Sequence, residues 1–170
     1  MIHLQPMTEV YFADYYRTGL TAYARQGVAC GQWTDSEALA LSTREYELLL
    51  PDGLASADSY LFEIREYPAG ETLGALWVRA QLRGSEAIAF VYDITIHEAH
   101  RQRGVATQAL RAVESFAVSK GLTVVALHVF GTNHSAIALY SKLGYEVKNI
   151  CLYKSLPGSG ESALSIAGIQ

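Results

Sequence analysis

The sequence predicts an α/β domain, a mixed sheet of about seven strands flanked by about four helices. Three observations predict it. Apolar runs of strand length recur at 59–66, 73–81, 87–96 and 123–130. Segments with helical periodicity precede and separate them. The passage from 87 to 130 has the length of one right-handed βαβ crossover, which makes two of the strands parallel.

Composition bounds the function. The chain has 170 residues, half of them hydrophobic and 18% charged, which suits one globular domain with a real core. A net charge of −4 argues against a general nucleic-acid binder. The two cysteines, Cys30 and Cys151, make no disulfide framework and read as thiols of a reducing, cytoplasmic setting. No apolar run spans a bilayer, and Met1 to Pro6 is no signal peptide.

Ile2 to Met7 is a short strand. Thr8 is an N-cap, and Glu9 to Gly27 a tyrosine-rich helix carrying Tyr11, Tyr15, Tyr16 and Tyr23. Thr34-Asp-Ser-Glu37 reads as a capping box that opens a second helix to Leu50, with Ala38, Leu41, Tyr46, Leu48 and Leu49 as its apolar positions. Such aromatic residues are core and pocket wall before they are a recognition box. Ser59 to Glu66 and Leu73 to Gln81 are strands joined by a turn with Pro68 and Gly70. Ala87 to Ile96 is nearly continuous in apolar residues, as where both faces are covered. Asp93 interrupts it. A carboxylate there is hydrogen-bonded or functional, and the structural role is favoured.

From Val105 the period is helical, with Ala106, Ala109, Leu110, Val113, Phe116 and Ala117 on one face and Gly121 as the stop. Thr123 to Phe130 is the next strand. His134 to Leu143 is a short helix with Ala136, Leu139, Tyr140 and Leu143 on its apolar face. Tyr145 to Lys148 and Cys151 to Leu156 read as two closing strands. Residues 1–156 thus form the domain, and 157–170 a tail.

The junction at 96–107 carries the chemistry. A strand runs into Arg101-Gln102-Arg103-Gly104-Val105-Ala106-Thr107, and a helix runs out. Free amides and the positive end of the helix dipole point at one place, which suits a phosphate. Gly104 lets backbone approach a ligand closely. Taken alone, the turn serves equally as a plain basic helix start. It is neither GxGxxG nor a P-loop. His97, His100 and His134 make no metal site, because no HExxH and no cysteine pair accompany them.

Arg101-x-x-Gly104-x-Ala106 resembles the pyrophosphate-binding motif of the GNAT acetyltransferases, which hold acetyl-CoA. A second match follows in the right order. Asn133-x-x-Ala136-x-x-Leu139-Tyr140-x-x-x-Gly144-Tyr145 is similar to the family's Asn-x-x-Ala-x-x-Leu-Tyr-x-x-x-Gly-Phe/Tyr. The resemblance covers about Ala87 to Leu156 and is nearest to a group of bacterial GNAT proteins of uncertain substrate. It implies a sheet that splays between its two central parallel strands, with acetyl-CoA in the gap. It further implies that backbone groups of Ile94, Thr95 and Ile96 pair with the pantetheine arm, that amides from Arg101 to Thr107 cradle the pyrophosphate, and that Asn133 bonds the arm. No metal is implied.

Acetyl transfer needs a neutral amine, an oxyanion donor and a proton for the departing thiolate. Histidine, at an unperturbed pKa of about 6.5, can accept a proton, and tyrosine, at about 10, can donate one. His128, in Leu127-His128-Val129 five residues before Asn133, resembles the base position of some protein N-terminal acetyltransferases. Tyr140 matches the family's thiolate-protonating tyrosine. The expectation is therefore His128 as general base and Tyr140 as general acid, with a backbone N–H near Ile94 as oxyanion donor. A satisfied core histidine and plain helix packing are the bland alternatives for these two. Tyr92, Asp93, Glu86 and Glu98 are other base candidates. The expected acceptor is a small-molecule amine or a peptide N-terminus, with a slight edge to the latter because an α-amine loses its proton more readily than a lysine. The competing function is a non-catalytic acyl-CoA sensor on the same fold. No nucleic-acid or membrane partner is expected, and an exposed strand edge or the tail is compatible with a homodimer.

Overall fold

Strand parity decides how this molecule is layered. The computed structural model describes residues 1–152 other than Ala69, together with Lys154. Its sheet holds β1 (Ile2–Pro6), β2 (Ser59–Glu66), β3 (Thr72–Arg83), β4 (Glu86–Ile96) and β5 (Val124–Leu127), in that spatial order. The first three pairings are antiparallel and β4–β5 is parallel. The helices are α1 (Glu9–Ala29), α2 (Asp35–Leu49), α3 (Val105–Ser119) and α4 (His134–Lys142).

Successive side chains of a strand point to opposite faces. On β3, Leu76 and Val78 join the cluster built on α3 with Ile64, Ala109 and Val113. Ala75 and Trp77 join the cluster on α1 and α2 with Tyr15, Tyr46 and Leu61. Both faces are covered, so the central strands read as unbroken apolar runs. Leu110 and Val113 have no solvent exposure, and full burial of each is worth about 1.5–3 kcal/mol.

Glu63 on β2 is a charge inside this packing, at 2% exposure. Thr8, the N-cap of α1, donates its amide (3.1 Å) and hydroxyl (2.9 Å) to Oε1. Arg65 (3.0 Å) and Thr72 (3.1 Å) donate to Oε2. Burial pushes this carboxyl's pKa up, but the Thr8, Thr72 and Arg65 bonds outweigh it and hold the group below its ordinary value. Glu63 therefore fixes where α1 begins against the sheet.

Several expectations need correction. The Thr34 side chain makes no cap bond to the helix and meets Ser36 instead, at 3.1 Å, so the capping box is not formed. Leu48 is exposed rather than part of the α2 apolar face. The sheet has five strands among the described residues instead of about seven. Residues 145–148 are not a strand. The reason lies in the end of α4: Gly144 takes φ 87°, and the amides of Gly144 and Tyr145 bond back to Ser141 and Tyr140 (3.1 and 3.0 Å). The Tyr145 amide thus closes the helix and is lost to a sheet ladder. The expected strand at 151–156 falls largely outside the described residues, and its described members, Cys151, Leu152 and Lys154, lie in no strand. The proposed tail, 157–170, lies wholly outside them.

Candidate active site

The site begins with a bulge in β4. Val91 pairs with Val78 and Asp93 with Trp77, so Tyr92 is an extra residue on the β4 side. A bulge re-aims the residues that follow it. Before it, Ala89 and Val91 face α3; after it, Ile94 and Ile96 do. Tyr92 faces α1 and α2 by ordinary alternation, and the bulge turns Asp93 and His97 to the same side. Tyr15 donates its hydroxyl to Asp93 Oδ2 at 3.0 Å, and the Tyr11 hydroxyl shares a hydrogen bond with His97 Nε2 at 3.0 Å. Two tyrosines four apart on α1 lie on one helix face, which is why both reach the same strand.

The bulge also marks where β4 and β5 part. Their ladder runs from Ile88↔Val124 to Val91↔Leu127 and stops. Beyond it Ile94, Thr95 and Ile96 pair only with β3, through Leu76, Ala75 and Gly74. The splay expected between the parallel strands is thus present, with one side of this backbone free. Two groups of this stretch are engaged by side chains: Arg101 Nε donates to the Ile96 carbonyl at 3.0 Å, and the Ile94 amide bonds the Asp93 carboxylate.

Gln102 and Gly104 both take left-handed backbone, with φ 60° and 74°. Left-handed residues in a tight turn gather successive amides into an anion-binding concavity. Gly104 caps the fifteen-residue α3 without a side-chain bond, and nothing lies within 4 Å of where its Cβ would be. Val105 is buried while Ala106 and Thr107 are half-buried, and the first amides of α3, as in any helix, have no partner within it. Arg103 meets His100 Nδ1 at 3.1 Å, and His100 lies 3.3 Å from Glu71.

His128 and Tyr140 occupy different settings. β5 ends at Leu127, so His128 stands just past the strand rather than in it, because the ladder ends at the β4 bulge. It is exposed, with its ring edge-on to Phe90 at 5.3 Å, so it is not a core histidine. Tyr140 on α4 is half-buried, 5.6 Å from the Tyr145 ring. Burial, then the Asp93 charge, pushes its pKa above the ordinary tyrosine value. Asn133 caps α4: its Oδ1 accepts from the Ala136 amide (3.2 Å) and from Ser135 (3.1 Å).

Of the other base candidates, Glu86 sits at the far end of β4, and Glu98 is exposed in the turn before Arg101. Tyr92 stacks on Trp77 at 4.9 Å. Asp93 is half-buried and hydrogen-bonded by Tyr15 and Thr95, in keeping with the structural role favoured from sequence. Burial raises its pKa, and the bonds from Tyr15, Thr95 and the Ile94 amide work the other way. Sequence reasoning did not assign the Tyr15–Asp93 and Tyr11–His97 pairs. The i, i+4 tyrosines were visible, but nothing in the chain said which strand they would meet.

The sheet thus opens beside a turn at the start of α3 whose amides suit an anion, and Tyr140 lies on α4, the helix that follows β5. The family model described as the acetyltransferase (GNAT) family matches residues 22–145, and the chain belongs to that family. It is 35% identical over 153 residues to the uncharacterized N-acetyltransferase YdgE of Bacillus subtilis strain 168, spanning 90% of this chain and 97% of that one. It is 32% identical over 155 residues to YycN of the same organism, again described as an uncharacterized N-acetyltransferase, spanning 91% and 99%. The crystal structure of YycN superimposes with a TM-score of 0.86 over 92% of this chain and 99% of the other. The protein is an acetyltransferase of a family that uses acetyl-CoA and acts on amine acceptors. Among the described residues no helix is long and apolar enough to cross a membrane.

Proposed function

We propose that this protein moves the acetyl group of acetyl-CoA to a primary amine, on a small molecule or a peptide N-terminus, by direct attack in a ternary complex. The observation that carries this reading is the parting of β4 and β5 after Val91 and Leu127, beside the left-handed Gln102–Gly104 turn that opens α3. The turn amides from Arg101 to Thr107 receive the pyrophosphate, where the helix dipole favours negative charge. The free side of Ile94, Thr95 and Ile96 pairs with the pantetheine arm, and at Ile96 the arm competes with the Arg101 side chain. Asn133 Oδ1 is committed to α4, which leaves its amide nitrogen to donate.

The amine lone pair attacks the thioester carbon and forms the C–N bond. His128 takes the amine proton. The oxyanion is met by a backbone N–H near Ile94. As the C–S bond breaks, sulfur leaves with the bonding electrons and takes the proton of Tyr140. The phenol is protonated across the neutral range, so it has a proton to give, and burial makes it a weaker donor than a free tyrosine.

CoA release across a panel of amines and short peptides tests this reading. Tyr140→Phe and His128→Ala, both still folded, should each lose roughly 10²–10⁴-fold in kcat. Near-normal turnover in either variant removes that residue from its role. Acetyl-CoA binding with no acceptor turned over across the whole panel favours the sensor function instead.

A further inference from the structure

We propose that His100 is a positioning residue for the cosubstrate: as a neutral ring protonated at Nε2, it holds the Arg103 guanidinium at the turn that receives the pyrophosphate. The proposal rests on the acetyl-CoA reading above and adds to it a residue and a pH dependence of binding.

The short turn Glu98–His100 follows β4 and closes through the His100 amide on the His97 carbonyl at 2.9 Å. The His97 amide bonds the Leu73 carbonyl of β3, also at 2.9 Å. These two bonds bring His100 beside Glu71, the residue before β3. The His100 side chain is only 11% exposed, although it stands in a surface turn, so its ring is held rather than free. Its Nε2 lies 3.3 Å from Glu71 Oε1, and its Nδ1 lies 3.1 Å from an Arg103 nitrogen. A guanidinium only donates, so Nδ1 accepts and carries no proton. The ring proton then sits on Nε2 and faces the carboxylate. Arg103, His100 and Glu71 thus form a chain that one tautomer alone satisfies.

Arg103 is exposed and lies between Gln102 and Gly104, the two left-handed residues of the turn. An untied arginine there loses rotamer freedom when it meets a ligand. One already tied through a single nitrogen has lost that freedom beforehand, and its other N–H groups remain for phosphate oxygens. A second proton on His100 would set Nδ1–H against a guanidinium N–H and bring two positive charges together, so the tie breaks. The other charged or titratable groups around His100 are Glu98 and Arg101 beside it in the chain and His97, whose ring is 6.4 Å away and whose Nε2 is engaged by Tyr11 of α1. None of them offers Arg103 a replacement for Nδ1 among the described contacts.

Calorimetric titration of 3′-dephospho-CoA into the protein is the test. This probe lacks the phosphomonoester that titrates in the histidine range, so its own charge stays constant. Wild type should bind it about fivefold more weakly near pH 5.5 than near pH 8. His100→Asn offers Arg103 an amide oxygen and takes up no proton. It should bind as wild type does near pH 8 and show no such fall. Near pH 8, His100→Ala should be about fivefold weaker, and the double variant with Arg103→Ala no weaker than Arg103→Ala alone. An affinity that is flat or rises in acid, a fall that persists in His100→Asn, or additive losses in the double variant overturns the role of His100 and leaves the acetyl-CoA reading standing. Binding of acetyl-CoA without binding of the probe has the same meaning. Failure of wild type to bind either overturns both.

Discussion

Asp93 shows how a single side chain can oppose stability. Its folded-state pKa lies above the ordinary carboxylate value because burial penalises the charge. A raised pKa means that folding favours the protonated form. The stability this contributes is present in acid, below the ordinary value, and is lost as pH rises through the raised one. At pH 7 wild type should therefore melt below Asp93→Asn, and the gap should close as the solution is acidified. A melting series from pH 7 downward checks this, and a gap that widens in acid would contradict it. Tyr140 titrates in the opposite range. Because burial and the Asp93 charge both raise its pKa, the rate should show no fall assignable to it below pH of about 10. Tyr140→Phe should lower turnover while leaving acetyl-CoA binding within a factor of about two, because the role proposed for the phenol is on the departing thiolate.

Elements are held by features of unequal visibility. Periodicity identified α3, β2 and β4 almost to their ends, because a face packed against a core repeats its pattern. The Arg101–Thr107 turn was readable because Gly104, two arginines and a helix start adjoin in the chain. The Thr34 capping box failed because its hydroxyl meets Ser36 and the Glu37 amide bonds the Thr34 carbonyl instead, at 3.2 Å. The strand expected at 145–148 failed because the Tyr145 amide closes α4. Glu63 was not foreseen, since its partners Thr8 and Thr72 come from other elements. Glu63→Ala should destabilise by about 2–4 kcal/mol, because it leaves the α1 cap and a part-buried Arg65 without their acceptor. Its lowered pKa makes its contribution present above the ordinary carboxylate value and lost as pH falls through the lowered one. A second test sits between α1 and α2. A Cβ at Gly27 would fall 2.1 Å from the Trp33 ring, so Gly27→Ala should cost about 1–3 kcal/mol in chemical denaturation.

At the scale of the whole molecule, the α3 side and the α1–α2 side of the sheet have different duties. The α3 side is apolar in β3 and β4, and its helix begins at the Arg101–Thr107 turn. The α1–α2 side carries Tyr11, Tyr15, Tyr16, Tyr23, Tyr46 and Tyr92, and Asp93. The β4 bulge joins the two duties, since it ends the β5 ladder and turns Asp93 toward α1 in the same three residues. The family was legible from two motifs in the chain, but this division was not. It depends on a one-residue register shift that no spacing announces. Acetyl-CoA is proposed to sit in the gap beside the Arg101–Thr107 turn. A thermal-unfolding comparison of the protein with acetyl-CoA, ATP or NAD tests it most directly. At about 100 times its Kd, acetyl-CoA should stabilise the fold by about 2.7 kcal/mol. For a domain of this size that is a rise in Tm of roughly 5–10 °C, with ATP and NAD giving little. No shift with acetyl-CoA, or an equal shift with all three, would rule out this placement.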